Sequence, residues 1–239
     1  EFSKRAEEEG ICPYELNKLL LKEAQVVIVP YVYFFDEFIR NYMLGWMDIS
    51  IDKVIAIIDE AHNLPDWARG AASESMTLKS INLAISEVKD YGYQLAEGRD
   101  PVPFLNLVEA AMEKLSEDHI SDNDEEGHLP SHIVSLDSDV ATFETEMMSL
   151  GAMTLYRLKQ DSTEISKMGQ QTRQYLLDHG KRPRSYLGSV GDFLCRWFDS
   201  IDSHTIRLIG KKPLRLEKVC LDPRIMTGFL EDTGGVVSM

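Results

Sequence analysis

The sequence has few cysteines, few bases and no long apolar run, and each shortage excludes something. Only Cys12, Cys195 and Cys220 occur in 239 residues. No two stand close enough for a Cys-x-x-Cys pair, which argues against a self-contained zinc site. An odd number of thiols argues against a disulfide framework. Cys195 and Cys220 have apolar neighbours and read as core thiols. No apolar stretch approaches the roughly 18 residues that a membrane span requires. The opening Glu1-Phe2-Ser3-Lys4-Arg5 lacks the apolar core of a signal peptide. No membrane partner is expected, and a cytoplasmic location is (nuclear in a eukaryote). Bases are outnumbered, with 25 Lys and Arg against 40 Asp and Glu and a net charge of −15. That balance argues against nucleic-acid binding, because phosphate contacts need cations. The distribution is uneven, however. Residues 180–224 hold ten bases and five acids, so an acidic chain can still carry a basic channel.

What is present is organised around Val54-Ile55-Ala56-Ile57-Ile58-Asp59-Glu60-Ala61-His62. Five apolar residues run without a polar break and stop at two acids. This reads as a buried parallel strand that delivers carboxylates to its C-terminal edge, where open α/β sheets bind ligands. Before it, Pro13 opens a helix with Leu16, Leu19, Leu20 and Ala24 on one face. The β-branched run 25–29, closed by Pro30, predicts a second buried strand. The aromatic segment 31–47 predicts a helix. Helix, strand, helix, strand in this order suggests a parallel α/β sheet with a right-handed crossover.

After His62 the strand signals stop. A short helix near Trp67, helices over 77–91 and from Asp100-Pro101 onward, and further helical patterns over 137–150, to about 177 and over 185–199 follow. The acidic stretch 121–127 reads as a solvated loop. Alternation over 205–209 and 214–219 predicts a hairpin, a short helix is expected over 225–230, and 234–239 predicts a last buried strand. The chain therefore reads as α/β, then an inserted all-helical module of roughly 110 residues, then α/β again.

An Asp-Glu pair at a strand end suits nucleotide hydrolysis. One carboxylate holds water around Mg²⁺ and the next orients or deprotonates the attacking water. Two rivals stand beside this reading. The acids can end a solvated strand by chance, or Asp59, Glu60 and His62 can hold a metal together. Adjacent strand residues point to opposite faces, which makes joint ligation awkward. Hydrolysis also needs a Gly-Lys-Ser or Gly-Lys-Thr loop, and the sequence contains neither string.

Residues 57–64, Ile-Ile-Asp-Glu-Ala-His-Asn-Leu, resemble motif II of the XPD family of superfamily 2 DNA helicases. Cys12-Pro13-Tyr14 resembles the segment holding the last of that family's four [4Fe–4S] cysteines. Residues 30–34 resemble the stretch between cluster and motif II, and 234–239 the strand leading into motif III. The resemblance is specific over 12–66 and at the C-terminal end; in between it rests on position and helical character. It implies a RecA-like motor domain with a helical Arch insertion. The end of the cluster domain falls at 1–24, motor domain 1 at 25–70, the Arch at 71–202 and the return to the motor at 203–239.

By this resemblance Asp59 coordinates Mg²⁺, Glu60 activates water and His62 couples nucleotide state to the DNA-binding motifs. Cys12 is a cluster ligand. Tyr14 and Lys18, one helical turn apart, line the DNA path, and Tyr33 is a weaker DNA contact. An aromatic to stack a base beside a cation for phosphate fits single-strand binding; a surface helix with a half-buried Tyr is the plainer alternative. The implied function is ATP-dependent 5′→3′ unwinding in nucleotide excision repair. ATP, Mg²⁺ and a 4Fe–4S cluster are the implied cofactors. Single-stranded and forked DNA is the implied substrate, with repair-protein partners through the Arch. The phosphate-binding loop, three cluster cysteines and the second motor domain are expected outside these 239 residues, without which the chain is inactive. The compact Arch points to an archaeal source. A DinG-like helicase is the alternative within the class, and a non-enzymatic helical protein-binding scaffold the alternative outside it.

Overall fold

The computed structural model describes residues 10–120, 133–135, 143–198 and 204–239. The acidic stretch 121–127 and the helical expectation over 137–142 lie outside the described residues. The chain divides into two compact units, Glu1–Ala72 with Asp222–Met239, and Ser73–Leu221.

In the first unit, helix α1 covers Pro13–Leu21, with proline at the first helical position, where its missing N–H costs nothing. The aromatic segment forms two helices rather than one, α2 (Tyr31–Phe35) and α3 (Glu37–Met47). Asp36 divides them. Its backbone is extended, and its carboxylate accepts the Ile39 N–H at 2.9 Å, which caps α3. Arg40 of α3 donates to the Phe34 carbonyl at 3.0 Å and lies 3.6 Å from the Phe229 ring centre. Burial lowers its proton affinity from the ordinary arginine value.

Strand β1 (Ile55–Ile58) runs parallel to β6 (Gly235–Ser238), with Ile55 opposite Gly235 and Ile58 opposite Ser238. A Cβ on Gly234 would lie 2.5 Å from the Asp52 carbonyl oxygen, so glycine permits this close approach. Parallel pairing agrees with the sequence; two-sided burial does not. Ala56 and Ile58 are buried, while Ile55 and Ile57 are 68% and 64% exposed. An apolar cluster including Phe35, Ile58, Leu64, Trp67 and Phe229 lies on one side. Strand alternation then turns the other isoleucines outward. The run 25–29 forms no strand, and Val26 and Ile28 are 79% and 94% exposed. β-branched residues favour extended backbone, but a ladder needs a partner edge, and no described strand pairs with this run. Helix α4 (Leu64–Ala72) follows β1 after a 3-10 turn at Ala61–Asn63.

The second unit is not all-helical. It contains an antiparallel sheet ordered β2-β5-β4-β3, made of β2 (Glu74–Thr77), β3 (Ile133–Ser135), β4 (Thr205–Lys211) and β5 (Leu214–Cys220). The predicted hairpin is β4–β5, but it does not return to the parallel sheet. β5 pairs with β2, Met76 facing Leu216, so the division between units falls after Leu221 rather than near 203. Strand β2 gives little signal because, of its four residues, only Met76 is buried.

The described helices of this unit are α5 (Leu78–Tyr91), α6 (Val102–His119), α7 (Phe143–Gly151), α8 (Leu155–Asp178) and α9 (Tyr186–Phe198), of which α5, α6 and α9 pack on the sheet. Their ends follow local chemistry. Thr77 and Ser80 form a capping box at the start of α5, and Gly92 closes it in the left-handed region. Leu105, Met112, Phe143, Leu158, Leu194 and Trp197 form the centre of the core. Glu87 of α5 caps α9 from outside. Its carboxylate accepts Ser185 Oγ at 2.7 Å, Tyr186 N–H at 2.7 Å and Leu187 N–H at 3.0 Å, which satisfies donors that the helix itself leaves open. Helices α8 and α9 approach closest at glycines. A Cβ on Gly169 would lie 2.0 Å from Gly188 Cα, and one on Gly191 would lie 2.3 Å from the Ser166 nitrogen.

Candidate functional site

The C-terminal end of β1 leads into a tight turn at Asp59-Glu60. Glu60 sits in the left-handed region at φ 52°, ψ 41°, a conformation that costs a non-glycine residue about 1–2 kcal/mol. The surroundings hold it there. Met239 N–H donates to the Ile58 carbonyl and Ala61 N–H to the Met239 carbonyl, each at 3.0 Å. These two bonds carry the β1–β6 ladder one step past the strand ends. Asn63 N–H donates to the Glu60 carbonyl at 2.9 Å. The Tyr31 hydroxyl donates to the carbonyls of Asp59 at 2.5 Å and Glu60 at 3.2 Å. Tyr31 is itself held edge-on by Phe35 and Trp67, with ring centres 5.7 and 5.6 Å away.

Held in this way, the backbone of the turn is fixed while its acids face solvent. The Asp59 carboxylate has no hydrogen-bond or ion-pair partner among the described residues. His62 Nδ1 lies 3.4 Å from Glu60 Oε2, and both side chains are largely exposed. No three His, Cys, Asp or Glu side chains among the described residues are grouped to hold a metal ion by themselves. One free carboxylate still suits Mg²⁺, which keeps most of its waters and takes further oxygens from substrate phosphates. In contrast, Asp161 is fully buried between Arg99 and Arg157, 2.6 and 3.3 Å away. That pairing balances a buried charge and marks a structural group.

The other expected residues divide. Tyr14 and Lys18 do meet, on α1, with Lys18 Nζ 4.5 Å from the Tyr14 ring centre. Two neighbours were not foreseen. Trp46 of α3 stands 4.8 Å from the same ammonium and edge-on to Tyr14 at 6.1 Å. Glu15 accepts a hydrogen bond from Lys18 at 2.8 Å, and this bond raises the lysine's proton affinity. Lys18 is therefore a shared charge rather than a free one. Cys12 is exposed at the N-cap of α1. Cys220 is buried as expected, and Cys195 is half-buried. An iron–sulfur cluster takes four thiolates. This sequence has three, two of them in the second unit, so its own residues do not make a cluster site. Tyr33 is 37% exposed, and its side chain makes no hydrogen bond or ring contact among the described residues. Tyr31 was missed. Its only sequence signal is a place directly after Pro30, at the start of a helix that returns it to the strand end.

Comparison with known proteins fits this geometry. Residues 1–81 match the DEAD_2 family model. A stretch of 82 residues is 35% identical to the ATP-dependent DNA helicase chl1 of Neosartorya fischeri, covering 34% of this chain and 9% of that protein. A stretch of 77 residues is 39% identical to the Fanconi anemia group J protein homolog of Gallus gallus, covering 32% of this chain and 6% of that one. Residues 1–81, about a third of the chain, are thus similar to the DEAD_2 family. The matched stretch contains Cys12, Tyr14, Lys18, Tyr31, Tyr33 and the whole Asp59-to-His62 turn. The fold extends the likeness beyond it. The solved structure titled XPD_Helicase superposes with a TM-score of 0.56 at 18% identity, covering all of this chain and 36% of that one. The Xpd4 of S. tokodaii gives 0.55 at 21% identity, covering 98% of this chain and 45% of that one. At such identities the likeness concerns the fold alone. The matched stretches span about a tenth or less of the curated relatives' length.

Proposed function

We propose that this chain belongs to an ATP-dependent DNA helicase of the XPD type and supplies the carboxylate half of its ATP site. The observation that carries the reading is the Asp59-Glu60 turn, locked at the end of a parallel strand inside the stretch similar to the DEAD_2 family. The metal, when bound with nucleotide, neutralises charge on the phosphate oxygens. Asp59 would hold the hydrated Mg²⁺, directly or through one of its waters. Glu60 orients the attacking water and takes its proton as the water oxygen bonds to the γ-phosphorus and ADP leaves. His62 touches the Glu60 carboxylate, so a shift of either reaches the other. Tyr31 holds the turn's carbonyls and keeps both acids in register.

Hydrolysis also requires a Gly-Lys-Ser or Gly-Lys-Thr loop, which these residues do not contain. The finer reading is 5′→3′ translocation and unwinding of forked DNA in nucleotide excision repair. In that reading Tyr14, Lys18 and Tyr33 face the DNA and Cys12 gives one of four thiolates to a 4Fe–4S cluster. Residues 73–221 act as the Arch and as a surface for repair proteins. The support is the DEAD_2 match and the aromatic–cation group on α1, in which Tyr14 is exposed. The test is ATP hydrolysis by the intact gene product with and without single-stranded DNA. A DNA-stimulated rate is expected; no hydrolysis under either condition refutes the proposal.

A further inference from the structure

We propose that the loop Lys181-Arg182-Pro183-Arg184, between α8 and α9, is a contact for the phosphodiester backbone of single-stranded nucleic acid. The choice of ligand rests on the DNA-helicase reading above; the loop itself is singled out by how charge is used across the chain. The chain carries a net −15, so three unpaired cations within four residues stand out. Most arginines of the basic 180–224 stretch are spent internally. Arg196 pairs with Glu74, Arg207 with Glu144, Arg215 with Glu217 and Arg224 with Asp222. Lys181, Arg182 and Arg184 differ. All three are exposed, and none makes a side-chain hydrogen bond or ion pair among the described residues.

Nearby carboxylates have other hydrogen-bond partners. Glu87 caps α9, Asp192 accepts from Arg173 at 3.0 Å and from Ser166, and Asp178 accepts from the Gln174 amide at 2.8 Å. The loop is also held in shape. Lys181 N–H donates to the Leu176 carbonyl at 2.8 Å and Gly180 N–H to the Leu177 carbonyl at 3.0 Å. With Gly180 at φ 65°, this is a Schellman closure of α8. Arg184 N–H then turns back to the Arg182 carbonyl at 2.9 Å. A preorganised loop loses less freedom on binding than a floppy one.

Shape favours a polymer over a small anion. Arg173, Arg184, Ser185, Tyr186 and Ser189 line a shallow, open cavity of about 300 Å³ beside the loop, which encloses nothing. Tyr186 and Tyr175 are 42% and 47% exposed on either side, and the His179 ring lies 4.1 Å from Tyr175. Aromatic faces beside cations suit stacked bases over a neutralised backbone.

The test is fluorescence anisotropy of labelled dT20 with the 239-residue chain and its Lys181→Ala/Arg182→Ala/Arg184→Ala variant, titrated across salt. Binding at least tenfold weaker is expected of the variant. Its slope of log K against log salt should be shallower by about 2, at roughly 0.7 for each lost phosphate contact on a single strand. Matching melting curves establish that the variant is folded. Unchanged affinity and slope overturn the loop assignment and leave the helicase reading intact, since that reading is judged by hydrolysis in the intact gene product. Absence of wild-type binding overturns the loop assignment too. Displacement of dT20 by inorganic phosphate or poly-glutamate at equal charge concentration overturns it in favour of a generic anion or acidic-peptide site.

Discussion

Glu60→Gln is expected to reduce DNA-stimulated ATP hydrolysis by the intact gene product about 10²–10⁴-fold, the range for loss of a positioned general base. The substitution keeps the shape of the side chain and removes its ability to hold a proton. The αL backbone of Glu60 is fixed by neighbours that glutamine does not disturb: Ala61 N–H on Met239, Asn63 N–H on the Glu60 carbonyl, and Tyr31 on both turn carbonyls. Melting temperature and DNA affinity should therefore stay near wild type. Turnover within twofold of wild type would remove Glu60 from the chemistry and leave the turn as a structural feature. Loss of folding instead of turnover would show that the contact with His62 is structural.

Gly169→Ala is expected to destabilise the second unit by about 3 kcal/mol, even though alanine is the better helix former by about 1 kcal/mol. The added methyl would meet Gly188 Cα at 2.0 Å and its nitrogen at 2.2 Å. Those atoms are backbone, so α8 and α9 must move apart and open the interface around Ile165, Leu187 and Leu194. For a unit of this size the loss corresponds to a fall in melting temperature of roughly 6–12 °C. Gly70→Ala is the control. Gly70 is also helical, but a Cβ there meets nothing within 4 Å, so that change should be neutral or slightly stabilising. Equal effects at the two positions in thermal denaturation would contradict close glycine packing as the reason for Gly169.

These two positions also mark where the sequence is legible. Helix limits are local chemistry, and the residues state them: Thr77 opens α5, Gly92 closes it, and Pro13 opens α1. The parallel strand ending at Asp59-Glu60 and the β4–β5 hairpin are readable from runs and alternation. What a segment packs against is not local. Residues 25–29 have strand composition without a described partner strand. Glu74–Thr77 has a partner, β5, with little composition to announce it. The hairpin was visible, but its sheet depended on β2, which was not. Glycines at 169, 188 and 191 weaken a helix pattern in sequence, and only the facing helix explains them. In the site, the acids are legible because their type and place carry the chemistry. Tyr31 is not, because its role is to hold carbonyls 28 and 29 residues away. The basic 180–224 stretch likewise resolves only with its ion pairs in view.

We propose that the locked Asp59-Glu60 turn serves an ATP-driven helicase. The most direct measurement is unwinding of two forked duplexes, one with a 5′ single-stranded tail and one with a 3′ tail, by the intact gene product with ATP and Mg²⁺. ATP-dependent unwinding of the 5′-tailed fork, absent with Asp59→Asn, is the predicted result. Unwinding of neither fork with ATP present, or of both equally by the Asp59→Asn protein, would contradict it.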